Sequence, residues 1–158
     1  MGTLVVSEES LTTSGALSVF HAAVDELERR YGGIDDGLHI SLEELGPPRG
    51  FFVVARRDGH PVGGVGVRSI GELAHRDGEV KRLWVRPDQR RLGVASALMD
   101  EALGGARRRG FERLYLETGN RQPEAVAFYE RTQWRRVEDF PPGAFTHDEA
   151  YRFCKTLR

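Results

Sequence analysis

The chain has little of what several classes of protein require. Cys154 is the single cysteine among 158 residues, so no internal disulfide can form, and a reduced, cytoplasmic protein is expected. No apolar run approaches the roughly 18 residues of a membrane-spanning helix, so no membrane association is predicted. The five histidines lack the spacing of metal ligands, so no metal site is predicted. The basic stripe at 81–91 is short in a chain of net charge −1, so nucleic-acid binding is not predicted either.

What is present is typical of one globular domain, which we take as residues 1–158. The composition is 39% hydrophobic and 30% charged. The charge is unevenly spread, because residues 1–48 hold nine acidic and two basic residues, a balance of −7, which leaves +6 for the remainder. By itself this asymmetry is typical of two solvated faces of opposite charge; the functional alternative is an anionic ligand on the basic side and a cationic one near the acidic side.

Hydrophobic periodicity predicts a mixed α/β (α+β) domain. Asp58-Gly59 between two β-rich runs is a strong hairpin signal. Helices are expected over about 17–31, 95–106 and 123–131, where apolar residues recur at helical spacing, with a short one at 41–45. Strands are expected at 3–6, 51–55, 62–70, 80–85, 114–117, 135–137 and 150–156.

The segment 90–95, Arg-Arg-Leu-Gly-Val-Ala, lies between the strand at 80–85 and the helix that follows. A helix that opens directly after a basic, glycine-containing loop presents free backbone N–H groups and a positive end. Such a site suits a phosphate or pyrophosphate. The pattern is neither the P-loop, since no Gly-Lys-Ser/Thr follows, nor the three-glycine dinucleotide turn.

Two motifs resemble the GNAT N-acetyltransferase superfamily. The first is Arg-x-x-Gly-x-Ala at 90–95, which is similar to the family's Gln/Arg-x-x-Gly-x-Gly/Ala acyl-CoA loop. The second, Pro-Glu-Ala-Val-Ala-Phe-Tyr-Glu-Arg at 123–131, resembles the family's Asn-x-x-Ala-x-x-Leu-Tyr-Glu-Lys-x-Gly-Phe helix. Two departures are that Gln122 stands at the family's Asn and Gln133 at the Gly that ends the helix. The resemblance implies the GNAT acyl-CoA N-acyltransferase fold, a central, mixed, splayed sheet of six or seven strands with about four flanking helices.

The resemblance also implies acetyl-CoA as cosubstrate and assigns residues to it. The loop and helix start would hold the pyrophosphate through backbone N–H groups, and Gly93 would permit its close approach. The strand at 83–85 would pair with the pantetheine arm where the sheet splays. Gln122 would offer an amide to the cofactor. The cofactor-binding set is therefore Leu83, Trp84, Val85, Arg90, Arg91, Leu92, Gly93, Val94, Ala95, Ser96 and Gln122.

Acetyl transfer to an amine requires a base and a partner for the leaving thiolate. An amine with a pKa of about 10.4 is roughly one part in a thousand neutral at pH 7, so a base lowers the barrier. Glu79 is the first candidate because some family members hold a catalytic Glu at this place; Glu117 and water are the alternatives. Tyr129 is expected to hydrogen-bond the sulfur, since full proton transfer from a phenol to a thiolate is uphill by about 2 kcal/mol.

The acceptor is expected to be a small cationic or zwitterionic amine, with protein or peptide amines as alternatives. The family builds its acceptor site from segments that correspond here to 32–45 and 138–148. These segments offer an acidic rim with aromatic neighbours, comprising Asp35, Asp36, Glu43, Glu44, Asp139, Asp148, Phe140, Phe145 and His147. A catalytically silent acyl-CoA-binding module is the alternative function, and a homodimer is left open.

Overall fold

A single seven-stranded sheet organises the chain in this computed structural model, which describes residues 2–32 and 41–157. The strands are β1 (Leu4–Glu8), β2 (Phe51–Arg57), β3 (His60–Ser69), β4 (Asp77–Val85), β5 (Arg113–Gly119), β6 (Arg135–Val137) and β7 (Ala150–Thr156). Their spatial order is β1-β2-β3-β4-β5-β7-β6. Neighbouring strands are antiparallel except β4 and β5, which are parallel.

The helices of the described residues are α1 (Ser14–Tyr31), α2 (Val94–Arg108) and α3 (Pro123–Arg131), with short 3₁₀ helices at Leu42–Leu45 and Pro87–Gln89. Every predicted strand and α-helix is found within three residues of its predicted bounds. The mixed α/β class and the strand number are confirmed. The described part holds three α-helices rather than about four, because Gly46 follows the 41–45 segment after a single turn and stops it.

The two long helices cover opposite faces of the sheet and close two apolar cores. Thr13 caps α1 by accepting the N–H of Ala16, and Gly32 ends it in the left-handed conformation at φ 68°. The apolar face of α1 packs with Phe52 and Val54 of β2 in the smaller core. The face of α2 that carries Leu98 and Ala102 packs on the other side of the sheet in the larger core.

The sheet opens between β4 and β5. Pairing of these two strands is limited to residues 77–79 with 113–115. Beyond it, β4 contains a bulge against β3, since Gly64 pairs with Trp84 but Gly66 pairs with Lys81. Arg82 in this bulge adopts a positive φ of 60°. A bulge bends and twists its strand, so β4 diverges from β5 and the predicted splay is confirmed.

Within the described residues, no helix is both long and apolar enough to cross a membrane.

Candidate active site

The main cavity lies where β4 and β5 separate. It has a volume of about 340 Å³ and is walled by the C-terminal half of α1, by β4 and β5, by the turn before α3, by Tyr129 of α3 and by the segment that leads into β7. The lining residues that carry polar or charged groups are Glu26, Tyr31, Lys81, Arg82, Trp84, Glu117, Thr118, Asn120, Arg121, Gln122, Tyr129, His147 and Glu149.

The N-terminus of α2 lies beyond the end of β4 and offers main-chain donors. Gly93 precedes α2 at φ 82° and gives no side-chain cap, and Arg91 is also left-handed at φ 64°. No protein acceptor contacts the N–H groups of residues 91–96 in the part of the chain that the structure describes. Leu92 is exposed, Val94 is buried in the larger core, and Ser96 is exposed. This arrangement suits a pyrophosphate.

The two arginines of this loop differ in their surroundings. The Arg90 guanidinium donates to the main-chain oxygen of Val85 at 2.8 Å and to Oε1 of Glu26 at 2.7 Å. Arg91 is exposed. An anion at the α2 N-terminus therefore meets the Arg91 charge directly, whereas it competes with Glu26 for Arg90.

Of the three β4 residues expected to meet the pantetheine arm, two line the cavity. These are Leu83 and Trp84, whereas Val85 is buried against the larger core. The buried indole nitrogen of Trp84 and the buried hydroxyl of Thr118 on β5 have no hydrogen-bond partner among the described residues. Both residues line the cavity. Unsatisfied buried polar groups are costly, and an amide-bearing ligand such as a pantetheine arm would satisfy them.

Tyr129 of α3 lines the same cavity from within an aromatic cluster. Its ring contacts those of Phe128, Trp134 and Phe153 at centroid distances of 5.6, 6.1 and 5.6 Å. Only 7% of the residue is exposed, and burial raises the pKa of its phenol well above the ordinary value. Such a phenol keeps its proton and acts as a hydrogen-bond donor.

A turn without glycine ends α3 and fixes Tyr129. The main chain of Trp134 donates to the oxygen of Tyr129 at 3.1 Å, and that of Gln133 donates to the oxygen of Glu130. Gln133 takes the left-handed conformation at φ 68°. This is the hydrogen-bond pattern of a Schellman cap, so Gln133 adopts the conformation for which the family pattern uses Gly.

Gln122 takes part in a set of hydrogen bonds that join the end of α1 to the turn that precedes α3. The hydroxyl of Tyr31, the last residue of α1, accepts from the main chain of Arg121 at 3.2 Å and from the side chain of Gln122 at 3.4 Å. Arg30 and Arg121 each donate to the other's main-chain oxygen at 3.1 Å. The Gln122 amide is thus held at the cavity wall by α1.

Glu79 does not line the cavity, and 1% of it is exposed. Its Oε1 accepts from Nε and Nη2 of Arg68, its cross-strand neighbour on β3, at 3.0 and 2.8 Å. Lys81 lies 3.7 Å from Oε2, and Arg68 also pairs with Glu44 at 2.5 Å. The structure therefore places Glu79 in a buried ion-pair cluster, apart from the site where we expected it to act as a base.

Glu117 of β5, the alternative base, does line the cavity, and it is paired with His147. Nδ1 of His147 lies 2.5 Å from Oε1 of Glu117, and the main chain of His147 donates to the same carboxylate at 3.2 and 3.3 Å. Sequence reasoning placed His147 only at the acceptor rim. The two residues are 30 positions apart, and the segment between them holds no periodic pattern that predicts the contact.

The acidic rim differs from the expected one. Asp35 and Asp36 lie outside the described residues. Glu43, Glu44, Asp139 and Asp148 are exposed and do not line the cavity, and Phe140 packs against Tyr115 instead. The carboxylates at the cavity wall are Glu26, Glu117 and Glu149, and the cations at the wall are Lys81, Arg82 and Arg121. The site is therefore of mixed charge rather than purely acidic.

Comparison with known proteins agrees with this geometry. Residues 18–133 match the model of the acetyltransferase (GNAT) family. The chain is 32% identical over 122 residues to the IAA acetyltransferase of Azospirillum brasilense, covering 75% of this chain and 78% of that protein.

Solved structures show the same fold. A GNAT-family acetyltransferase of Staphylococcus aureus aligns with a TM-score of 0.80 at 18% identity, over 99% of this chain and 100% of that chain. The PaiA N-acetyltransferase of Thermoplasma acidophilum, solved in complex with coenzyme A, aligns with a TM-score of 0.72 at 18% identity, over 98% and 99% of the two chains.

Proposed function

Because the chain belongs to the GNAT acetyltransferase family and is an N-acetyltransferase, we propose that it transfers the acetyl group of acetyl-CoA directly to a small zwitterionic or cationic amine in a ternary complex. The observation that carries this proposal is the cavity between the diverging β4 and β5, with the donor-rich N-terminus of α2 beyond the end of β4. The proposal treats residues 1–158 as one domain, supported by the single sheet that contains both the first and the last strand.

The cofactor would be held along β4 and at the start of α2. The N–H groups of residues 91–96 would bind the pyrophosphate, and Arg91 would add its charge. Leu83 and Trp84 would border the pantetheine arm, whose amides match the unsatisfied groups of Trp84 and Thr118. When bound, acetyl-CoA supplies the thioester carbonyl that the amine attacks.

Tyr129 would stabilise the thiolate that leaves. Its hydroxyl has no protein partner among the described residues, and its raised pKa keeps it protonated. It therefore donates a hydrogen bond to the sulfur as negative charge develops there, and it need not lose its proton.

Direct attack is favoured over an acyl-enzyme. Cys154 is the only cysteine, and burial raises the pKa of its thiol, which reduces the thiolate fraction. It does not line the cavity. The amine is therefore the nucleophile that reacts with the thioester.

The mixed charge of the cavity supports an acceptor that carries an anionic group beside its amine. Three carboxylates and three cations line the wall, and a zwitterion complements both signs where a simple cation would meet Lys81, Arg82 and Arg121.

The test is thiol release from acetyl-CoA with a panel of amines matched in size, with and without a carboxylate. We expect turnover with at least one small amine, and a higher kcat/KM for the zwitterionic member of each matched pair. Binding of acetyl-CoA without turnover on any amine would indicate the silent acyl-CoA-binding module instead. Equal rates across each pair would refute the acceptor class while leaving the acetyltransferase in place.

A further inference from the structure

Three cations line the cavity wall, those of Lys81, Arg82 and Arg121. They differ in how much of each side chain a ligand can reach and in the partners that each already has. A ligand carboxylate gains most from a cation that is accessible and has no carboxylate partner, because no existing contact must be broken. Exposure and pairing therefore indicate which of the three can bind an anionic group of the acceptor.

The two cations of β4 are largely buried. Lys81 is 9% exposed, and its Nζ lies 3.7 Å from Oε2 of Glu79. Arg82 is 7% exposed in the bulge of β4, and its Nε is buried. A ligand carboxylate would reach only a small part of either side chain. Both charges therefore act on the cavity mainly through the field that they add to it.

Arg121, in the turn between β5 and α3, is exposed at the cavity wall. Its Nη1 donates to the main-chain oxygen of Arg30 at 3.1 Å, and its guanidinium lies over the ring of Tyr31, 5.7 Å from the ring centroid. Among the described residues no carboxylate pairs with it. A guanidinium has five N–H donors in a planar fork, so donors remain for a carboxylate, and the fork is already held in place.

The position of the turn does not depend on the Arg121 side chain. The main-chain nitrogen of Arg121 donates to the hydroxyl of Tyr31 at 3.2 Å, and its main-chain oxygen accepts from Nη1 of Arg30 at 3.1 Å. Arg30 also pairs with Glu124 of α3. These contacts use only the main chain of Arg121, so a substitution of its side chain leaves the wall of the cavity in place.

A carboxylate lies between Arg121 and the loop that precedes α2. Glu26 pairs with Arg90 of that loop at 2.7 Å and with Arg30 at 3.5 Å, and the main chain of Arg30 holds the Arg121 guanidinium. The negative charge of Glu26 separates an anion site at Arg121 from the one at the N-terminus of α2. The cofactor phosphates therefore do not need Arg121.

A second charge without a partner stands at the same end of the cavity. The last pair between β5 and β7 joins Gly119 to Ala150, so Arg121 follows this pair on one strand and Glu149 precedes it on the other. Glu149 is exposed at the wall and forms no ion pair among the described residues, with Arg121 or with any other cation. Its charge disfavours acceptors that carry only negative charge, whereas a zwitterion complements both residues.

We propose that Arg121 is the specificity-determining residue of the acceptor site, where its guanidinium binds the carboxylate of a zwitterionic acceptor. This inference rests on the proposed acetyl transfer. The guanidinium attracts the carboxylate and repels the ammonium, so the amine of the bound acceptor points away from Arg121 and into the cavity. The carboxylate keeps its charge throughout the reaction, so the contact stabilises the bound acceptor and the transition state alike.

The experiment measures thiol release with three amino acids and their primary amides, namely glycine, β-alanine and 4-aminobutyrate. Each amide keeps the size of its acid and lacks the negative charge. We expect wild type to favour the acid in at least one pair. In Arg121→Gln the KM for that acid rises about 10-fold or more, the usual loss for a hydrogen bond to a charged group. The kcat and the KM for the amide stay within about twofold, as loss of uniform binding predicts.

Three further measurements separate this role from a structural one. Arg121→Lys keeps the charge but lacks the planar fork, so a smaller rise in KM is expected. Arg121→Glu should favour the amide over the acid, a reversal that a general loss of structure would not produce. Arg131→Gln is the matched control, because Arg131 is exposed on α3 and does not line the cavity. It should leave both KM values unchanged.

The outcomes distinguish failure of this inference from failure of the proposed function. Wild type that binds acetyl-CoA and acetylates no amine overturns both. Wild type that acetylates amines without favouring the acid of any pair overturns the inference alone, as does an Arg121→Gln variant that keeps the wild-type KM for the acid. If Arg121→Gln instead weakens CoA binding in a direct titration and leaves the preference for the acid intact, Arg121 belongs to the cofactor site and the inference is wrong.

Discussion

At the scale of single residues, two side chains singled out by sequence patterns have different surroundings. Tyr129 faces the cavity, whereas Glu79 lies beneath it in contact with Arg68. We therefore expect Tyr129 to act on the bound substrate and Glu79 to stabilise the fold. One conservative substitution tests each of these roles.

Replacing Tyr129 with Phe removes the hydroxyl and keeps the packed ring. We expect kcat to fall roughly 10-fold or more, since one donor to developing charge is lost, while the Kd for CoA is nearly unchanged. Stopped-flow or steady-state thiol release measures the first and calorimetric titration the second. Tyr151→Phe is the matched control, because Tyr151 is 39% exposed and does not line the cavity. A Tyr129→Phe enzyme with wild-type kcat would remove Tyr129 from the mechanism.

Replacing Glu79 with Gln removes a buried anionic partner of the Arg68 guanidinium, which also pairs with the exposed Glu44. Breaking a buried pair in this way destabilises by about 3–5 kcal/mol, so we expect a large loss in the free energy of unfolding and a kcat near that of wild type below the melting temperature. Chemical denaturation and thiol release measure the two quantities.

The control for this substitution is Glu112→Gln, whose ion pair with Arg76 is more than half exposed on both sides. Such pairs contribute about 1 kcal/mol or less. The opposite pattern for Glu79→Gln, unchanged stability with kcat lowered a hundredfold, would restore Glu79 as the base.

At the scale of elements, the helix that follows β4 combines an unsatisfied N-terminus with a left-handed glycine. A Cβ at Gly93 would meet no atom within 4 Å, so the cost of a side chain there arises from the φ of 82° alone. A non-glycine residue in this conformation costs about 1–2 kcal/mol.

We therefore expect Gly93→Ala to lower the unfolding free energy by about that amount and to weaken acetyl-CoA binding several-fold as the loop relaxes. Gly104→Ala in the same helix is the control. Its Cβ would approach only the end of the flexible Arg108 side chain, at 3.3 Å, and Ala is favoured over Gly inside a helix by about 0.5–1 kcal/mol. Equal CoA affinity in Gly93→Ala and wild type would argue that the loop does not bind the pyrophosphate.

The sequence predicts the positions of the helices and strands but not the long-range contacts between their side chains. Element positions follow from apolar spacing and turn residues, which act locally, and the α2 N-terminus follows from the glycine loop before it. The pairing of Arg68 with Glu79 depends on the register of β3 against β4, which a bulge shifts and no local pattern encodes. The contact between His147 and Glu117 depends on the path of an irregular segment, so it could not be predicted either.

At the scale of the whole molecule, charge pairs join the N-terminal strand to the rest of the fold. Glu8 pairs with Arg109 at 2.7 Å and Glu9 with Arg56 at 2.7 Å. Hydrogen bonds from Arg109 hold the pKa of Glu8 below its ordinary value, and those from Arg56 do the same for Glu9. A carboxyl with a depressed pKa contributes stability that is complete above its ordinary pKa and is lost as the pH falls through its folded value.

We therefore expect the unfolding free energy to decline as the pH drops below about 5, and Glu8→Gln to make that decline shallower. Denaturant titrations at a series of pH values measure both slopes. Glu112→Gln, on the exposed pair, should leave the slope unchanged. A Glu8→Gln slope identical to that of wild type would contradict the contribution of this pair to acid sensitivity.

In the proposed reaction, acetyl-CoA and an amine meet in one cleft of the molecule and react directly. The measurement that tests it most directly is the initial rate of thiol release over a grid of acetyl-CoA and amine concentrations. Direct transfer predicts double-reciprocal lines that intersect, because both substrates must be bound before either product leaves. Parallel lines, the signature of a covalent acyl-enzyme, would contradict it.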